Sequence, residues 1–199
     1  MPFERNVVII LGKDAILGGW AFGNTPSFRS VTLPSRLKTL DDWAIFNNAG
    51  KLESIVLPDT VEVIGDAVFE NCRNLRRISL GKSLQRVSHH AFTGCQQLQS
   101  IEFPNTLQEL GAEVFLNCTS LKTVLFMGNA PDLQDQGVER FGKDLYRDTP
   151  SSLVTHVLKG STGWQDADPS NLPGRWPVDG GESARPIKYS PNRSFTKGK

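Results

Sequence analysis

The stretch LESIVLPDTVEVIGDAVFENC, residues 52–72, decides the fold, because the chain repeats its pattern twice more in register. Residues 75–95 read LRRISLGKSLQRVSHHAFTGC, and residues 98–118 read LQSIEFPNTLQELGAEVFLNC. Each unit opens with Leu-x-x-Ile, has a second apolar run in its middle, and ends with a phenylalanine followed three residues later by a cysteine. Self-similarity at a fixed period of this length is typical of repeat architectures.

Four independent columns of residues share one period of 23 residues. The phenylalanine column consists of Phe46, Phe69, Phe92 and Phe115, and the isoleucine or valine column consists of Ile55, Ile78, Ile101 and Val124. The leucine column consists of Leu52, Leu75, Leu98 and Leu121, and the cysteine column consists of Cys72, Cys95 and Cys118. Ala49 occupies the cysteine position one unit earlier, which indicates that this position requires a small side chain. Because four columns in register do not arise by chance, the repeat governs the fold.

The physical chemistry of one unit predicts a short strand followed by a tight turn. In Leu-x-x-Ile-x-Leu the fourth and sixth residues share a face, because side chains alternate along a strand. Pro58 and Pro104 end the strand, since proline donates no ladder hydrogen bond. The segment 67–69 predicts a short helical or 3₁₀ turn that places Phe69 in the interior. A single unit cannot bury its apolar face alone, so neighbouring coils must stack.

The unit from Leu52 to Cys72 resembles the BspA-like class of leucine-rich repeats, whose pattern is LxxIxLPxxVxxIGxxAFxxCxx. The resemblance implies a repeat solenoid: a right-handed leucine-rich-repeat superhelix, rich in β-structure, with short helical or 3₁₀ turns and a parallel sheet on one face. It also implies protein–protein recognition as the usual role, and many family members are secreted or cell-surface adhesins. This chain has no visible signal peptide or transmembrane segment, so its compartment stays open.

The repeat divides the chain into four predicted parts. A degenerate first repeat or N-terminal cap occupies residues 1–28, repeats of 23 residues occupy 29–123, a C-terminal cap occupies 124–178 and a flexible basic tail occupies 179–199. Terminal units are expected to be atypical, because they cover an apolar end that would otherwise face water. In the cap we predict a short amphipathic segment with Phe141, Leu145 and Tyr146, a strand at 153–158, and cover of the last coil by Trp164 and Trp176.

The predicted tail is basic and poor in apolar residues. Residues 180–199 carry five basic side chains against one acidic one. A segment that buries so little apolar surface does not offset its ordering entropy, so we predict a mobile tail in the isolated chain. The alternative, inside an assembly, is an arm that orders along a partner through Arg185, Ile187 and Tyr189.

Composition and charge disfavour several classes of function. The 199 residues carry 22 Lys and Arg against 21 Asp and Glu, and phosphate affinity needs clustered basic side chains, so nucleic acid is not a predicted partner. The longest apolar run, residues 7–11, is far shorter than the roughly 18 residues of a membrane span, so no membrane insertion is predicted. Three cysteines cannot all pair within one chain, so disulfides do not hold the fold together.

The residues that invite a chemical role have simpler structural explanations. The cysteine column is a straight row without Cys-x-x-Cys pairs, so we predict buried thiols that act as small apolar side chains and no metal site. His89 and His90 lie at a bend with no acidic partner that recurs beside them, and an exposed turn is favoured over metal or acid–base chemistry. We predict no enzyme and no cofactor, because the spacing proposes no nucleophile, base and orienting group.

The variable positions of the predicted sheet are the candidate binding surface. Residues that face outward from stacked strands form the usual contact surface of repeat arrays. Arg76 and Arg77 are the predicted hot spots, since arginine offers a planar fork for carboxylates. The alternative is that such side chains only solvate the sheet. The predicted face consists of Glu53, Val56, Arg76, Arg77, Ser79, Gln99, Glu102, Lys122 and Leu125.

The sequence therefore predicts a non-catalytic protein–protein interaction module, of recognition or adhesion type, that binds a protein partner through this face. One alternative is a structural subunit of a larger complex, anchored by its C-terminal tail. A fully ordered tail that packs on nothing in this chain would favour that alternative. A second alternative, from another class, is a hydrolase that uses His156 together with a serine and a carboxylate.

Overall fold

The computed structural model describes residues 7–12, 15–25, 27–133, 145–158, 161–162, 164, 175–176 and 185–190 of the 199-residue chain. The protein is a solenoid of parallel β-strands, which confirms the repeat solenoid predicted from the sequence. The central coils each contribute one short strand to a first sheet and a second, two-residue strand to a second sheet. Within the described residues no helix has the length and apolar character needed to cross a membrane.

The described residues form fourteen strands. In chain order these are β1 (Val7–Ile10), β2 (Phe28–Thr32), β3 (Thr39–Leu40), β4 (Ser54–Val56), β5 (Val63–Ile64), β6 (Arg77–Ser79), β7 (Arg86–Val87), β8 (Ser100–Phe103), β9 (Glu109–Leu110), β10 (Thr123–Phe126), β11 (Asp132–Leu133), β12 (Val154–Leu158), β13 (Arg175–Trp176) and β14 (Arg185–Ser190).

The first sheet, called the outer sheet below, is built in two parts. Strands β1-β2-β4-β6 form one part, and β8-β10-β12-β14, with β13 antiparallel at the edge, form the other. The repeat sets the register, because Ile55 lies opposite Ile78, and Ile101 lies opposite Val124. Strands β6 and β8 are neighbours, but among the described residues no backbone hydrogen bond joins them.

A second parallel sheet, in the order β11-β9-β7-β5-β3, lies along another side of the coils. The resemblance implied a sheet on one face, and this second ladder adds to it. It forms because each unit carries a second extended run, in which Leu40, Ile64, Val87 and Leu110 are fully buried and in register. The solenoid is therefore held by two hydrogen-bonded ladders.

The turns predicted as helical or 3₁₀ are non-helical turns in the described chain. Ala67 and Asn71 in the turn 66–72 have φ angles of 56° and 58°. Since a helix requires consecutive residues with negative φ, two left-handed residues in one turn prevent it. They direct backbone groups to the next coil instead, where Phe69 N donates to Ala91 O over 2.9 Å.

The core is a stack of aromatic rings that runs along the solenoid. The rings of Phe46, Phe69, Phe92 and Phe115 have centroid separations of 5.3, 5.5 and 6.1 Å and interplanar angles of 5°, 1° and 9°. Phe22 extends the stack at one end by 5.1 Å, and Tyr146 extends it at the other by 5.7 Å. The 23-residue period thus places one aromatic ring directly over the next.

The described part of the segment predicted as a C-terminal cap contributes buried side chains to the core. Trp164 is buried, with its ring 5.0 Å from that of Phe126 and its Nε1 donating to Gly128 O over 3.4 Å. Leu145 and Tyr146 of the predicted amphipathic segment are also buried. Phe141 lies outside the described residues, as does the side chain of Trp176 in β13.

The tail predicted to be flexible contains strand β14, so the prediction was wrong for residues 185–190. This strand runs parallel to β12, with Ile187 opposite Thr155 and Tyr189 opposite Val157. The prediction considered only that the segment has few apolar side chains to bury. It did not consider that the backbone N–H and C=O groups along the edge of β12 need hydrogen-bond partners, which a further strand supplies. Residues 185–190 thus pack on this chain, which is not the arrangement that would favour an assembly arm. Residues 191–199 lie outside the described residues.

Candidate binding surface

The outer face is defined as the side chains of the outer sheet that point away from the aromatic core. Strand alternation creates it: in β4, Ile55 is buried between exposed Ser54 and Val56, and in β6, Ile78 is buried between exposed Arg77 and Ser79. The parallel register then lines up equivalent residues from coil to coil. One row along the solenoid, called the central row below, consists of Ile10, Thr32, Val56, Ser79, Glu102, Leu125 and His156.

Most of the residues predicted for the face lie on it. Val56 is 67% exposed, and Glu53 and Glu102 are half-buried. The remaining exposed members of the predicted set are Arg76, Arg77, Ser79, Gln99 and Lys122. Sequence reasoning missed Ile10, which is 77% exposed and begins the central row. The signal that could have found it is the alignment of residues 7–10 as the first strand of the repeat.

Leu125 does not belong to the exposed face, and its prediction was wrong. Its side chain is completely buried, although it follows Glu102 in the central row. Leu125 lies on β10, between Glu102 of β8 and His156 of β12 in register. Its burial removes the apolar side chain from water, so it is not available to a partner.

Arg76 and Arg77 are two adjacent cations of the face without an ion-pair partner in the described structure. Among the described residues, neither guanidinium group takes part in an ion pair. The nearest acidic residue of the preceding coil, Glu53, is already engaged, because its Oε1 lies 2.8 Å from the Nη1 of Arg29. Two adjacent positive charges are therefore available to a ligand.

A shallow groove of about 510 Å³ lies between these arginines and the next coil. It spans β4, β6 and β8, across the break in the outer sheet, and it is called the central groove below. Its floor is apolar and its rim carries hydroxyl and charged groups. The lining residues are Ser54, Ile55, Val56, Arg76, Arg77, Ile78, Ser79, Ser100, Ile101 and Glu102.

The cysteine column is buried, as predicted, and makes contacts that sequence reasoning missed. The Sγ of Cys72 donates to Phe46 O over 3.1 Å, and the Sγ of Cys95 donates to Phe69 O over 3.2 Å. Burial raises the pKa of the Cys72 and Cys118 thiols to about 12, and it raises the pKa of Cys95 well above the usual value. The thiols therefore stay protonated and join consecutive coils through their hydrogen bonds.

The two adjacent histidines also connect coils. His89 Nδ1 accepts a hydrogen bond from Ala112 N at 2.9 Å, and His90 Nδ1 lies 3.3 Å from Glu113 Oε2. The acidic contact of His90 was not predicted, because Glu113 comes from the next coil. Within the described residues, no group of three or more His, Cys, Asp and Glu side chains could hold a metal ion.

His156 occupies the central row, on strand β12. Its neighbours in register are Leu125 on β10 and Lys188 on β14, and neither is a serine or a carboxylate. The row therefore does not bring together the three groups that the hydrolase alternative requires.

The repeat is also the basis of the likeness to known proteins. The family described as "BspA type Leucine rich repeat region" matches residues 42–141 in six copies, about half of the chain. The chain belongs to this family. Leucine-rich repeat proteins of this type commonly serve as protein-interaction modules and are typically not enzymes.

Two solved structures resemble this BspA-type chain. A leucine-rich repeat protein from Bacteroides ovatus is 27% identical, with a TM-score of 0.62 and coverage of 77% of this chain and 37% of that chain. The T. pallidum leucine-rich repeat protein TpLRR is 29% identical, with a TM-score of 0.56 and coverage of 79% of this chain and 65% of that chain. The chain thus spans less than two thirds of either protein. A comparison with curated proteins finds no match.

Proposed function

We propose that this BspA-type chain is a non-catalytic recognition module, of recognition or adhesion type, that binds a protein partner through its outer face. The observation that carries the proposal is the pair of unpaired arginines, Arg76 and Arg77, beside the central groove. Arginines with free planar forks are typical energetic centres of protein interfaces.

The contrast with other cations of the solenoid supports this assignment. Lys82 Nζ lies 2.8 Å from Asp59 Oδ2, and Arg86 Nη2 lies 3.7 Å from Asp41 Oδ1. These ion pairs link one coil to another, so the charge of each cation is neutralised within the chain. Arg76 and Arg77 have no such task, so a role in contact with another molecule explains their place on the sheet.

The family supports the same class of function. Protein interaction is the common role of leucine-rich repeats, and the outward residues of stacked strands are the variable part of each unit. The surface around the two arginines is mixed in charge and carries serine hydroxyls, which suits a protein partner.

The proposal is tested by comparing the partners retained by wild type and by the variant Arg76→Glu/Arg77→Glu. Both proteins are immobilised, and bound proteins are identified by mass spectrometry. The matched control is Arg36→Glu/Lys38→Glu, which reverses two exposed charges that lie outside the outer sheet. Partners that wild type and the control retain, and the face variant loses, are the expected result.

Thermal unfolding of the three proteins verifies that the substitutions leave the solenoid folded. Equal recovery of every bound protein by wild type and the face variant would contradict the proposal. If the immobilised chain retained nucleic acid and no protein, that result would also contradict the proposal, because the partner would then not be a protein.

A further inference from the structure

We infer that the partner offers the outer face an extended segment in which one acidic residue is followed on the same side by apolar residues two and four positions away. The inference rests on the proposed function and deepens it, because it specifies the chemistry of the partner. It follows from charge, exposure and spacing on the outer face, taken in turn.

The charge of the outer face selects an acidic group. Between β2 and β10, the charged residues of the face are four cations and two anions, namely Arg29, Arg76, Arg77, Lys122, Glu53 and Glu102. Arg29 and Glu53 neutralise each other across 2.8 Å. Three cations then remain against Glu102, and two of them, Arg76 and Arg77, are adjacent, whereas Lys122 lies two coils further along the chain. Two neighbouring guanidinium groups form charge-assisted hydrogen bonds with a carboxylate, and these bonds are stronger than neutral ones.

The exposed apolar residues of the same face select apolar neighbours for that acid. Val56 is 67% exposed and lines the central groove, and Ile10 is 77% exposed in the same row. An anionic polymer such as nucleic acid would leave these side chains without apolar contacts. A polypeptide segment that alternates polar and apolar side chains covers both kinds of group at once.

The spacing of the strands sets the spacing of the segment. Arg77 lies on β6, Val56 on the adjacent strand β4, and Ile10 three strands away on β1. At about 4.8 Å per strand, Val56 is about 5 Å and Ile10 about 14 Å from the arginine row along the solenoid. In an extended peptide, the residues two and four positions after the acidic residue point to the same side as it does. They lie about 6.8 Å and about 13.6 Å from it. Along the solenoid these distances agree to within about 2 Å. Arg77 lies two residues along β6 from Ser79, the member of the central row, and is therefore about 6.8 Å to the side of Val56 and Ile10, a distance that the long arginine side chain spans.

The experiment is a selection of random linear dodecapeptides, displayed on phage, against the whole chain. We expect enrichment of acidic-x-apolar-x-apolar sequences, in one chain direction or its reverse. A synthetic peptide of the enriched consensus is then titrated by fluorescence anisotropy. Arg76→Ala/Arg77→Ala should weaken its binding about tenfold or more, as loss of a hot spot does.

Three further titrations separate the contributions. Val56→Asp should weaken the same peptide, and a peptide with serine in place of its acidic residue should lose its dependence on Arg76 and Arg77. The control Arg36→Ala/Lys38→Ala should bind like wild type. Circular dichroism melts of each variant establish that a lost interaction does not reflect unfolding.

The outcomes distinguish this inference from the function beneath it. Enriched peptides that depend on Arg76 and Arg77 but lack the acidic and apolar spacing overturn the inference and leave the proposed surface in place. Enriched peptides that bind every outer-face variant like wild type overturn the proposed surface as well. A selection that enriches no sequence contradicts the inference that a short extended segment suffices.

Discussion

The central coils, residues 52–118, and the first coils, residues 7–49, follow the same pattern but present different surfaces to water. Among the described residues, four of the five exposed large apolar side chains lie in the first coils, at Ile10, Ile16, Trp20 and Trp43, and only Val56 lies in the central coils. In the central coils the strict repeat buries each apolar column, whereas the degenerate first coils leave several apolar side chains exposed to water.

The second sheet also differs between the two regions. Its described strands begin at β3, so the segment before β2 makes a strand in the outer sheet and none beside β3. A depression of about 430 Å³ lies there, lined by residues that include Leu17, Leu37 and Thr39. A coil held by one ladder encloses less of its apolar surface than a coil held by two.

The largest effect expected from a single substitution is on the aromatic stack. Phe92→Ala should lower the free energy of unfolding by about 3–5 kcal/mol, because a fully buried ring leaves a cavity between two rigid coils. Phe22→Ala should cost less, since Phe22 is only half-buried at the end of the stack. Urea denaturation of both variants measures the difference. A loss below about 1 kcal/mol for Phe92→Ala would mean that the central coils are no better packed than the first.

The next effect is a dependence of stability on alkaline pH in the central coils. The usual thiol pKa is 9.0, and burial raises that of Cys72 and Cys118 to about 12. The unfolded chain therefore loses protons near pH 9 that the folded chain keeps, so stability is complete below pH 9 and falls as pH rises toward 12. The slope approaches about 1.4 kcal/mol per pH unit for each thiol.

Urea denaturation at several pH values, on wild type and on Cys95→Ala, measures this slope. Alanine is already tolerated at the equivalent buried position, Ala49, so the variant keeps the fold. Its slope should be smaller by about one third, since one of three buried thiols is gone. Identical slopes in the two proteins would contradict protonated thiols as the cause.

The smallest of these effects concerns a single turn. Gly94 has a φ of 72°, and an added Cβ would lie 2.6 Å from Asn71 Oδ1, so Gly94→Ala should destabilise by about 1–2 kcal/mol. Gly50→Ala is the control, because an added Cβ there would meet nothing nearer than Asn48 O at 3.9 Å. Equal changes in the melting temperature of the two variants would show that the left-handed conformation at position 94 does not require glycine.

The backbone of the turns shows where sequence reasoning reached its limit. One left-handed column carries side chains that suit this conformation, namely Asn24, Asn48, Asn71, Gly94, Asn117 and Asp148. A second left-handed column carries Trp20, Ala44, Ala67, His90 and Glu113, which have no such preference. Only the hydrogen bonds to the next coil hold the second column in place, for example from Ala67 N to His89 O at 3.0 Å.

The candidate surface, like the turns, was predictable only in part. Strand alternation and the period place Val56, Arg77 and Ser79 outward, because both rules operate within one unit and its copies. They do not reveal that Glu53 is neutralised by Arg29 from the preceding coil, or that a groove spans β4, β6 and β8. Those properties depend on how separate coils meet.

By itself, the sequence determined that the chain coils with a period of 23 residues, stacks its phenylalanines and buries its cysteines. A repeating pattern suffices for this, because the same local geometry recurs and each apolar face can be covered only by its neighbour. The tertiary structure alone decided that Leu125 is covered, that β14 joins the outer sheet, and that Arg76 and Arg77 stay unpaired. Burial at the ends, edge pairing and charge balance depend on groups distant in sequence, which no single repeat contains.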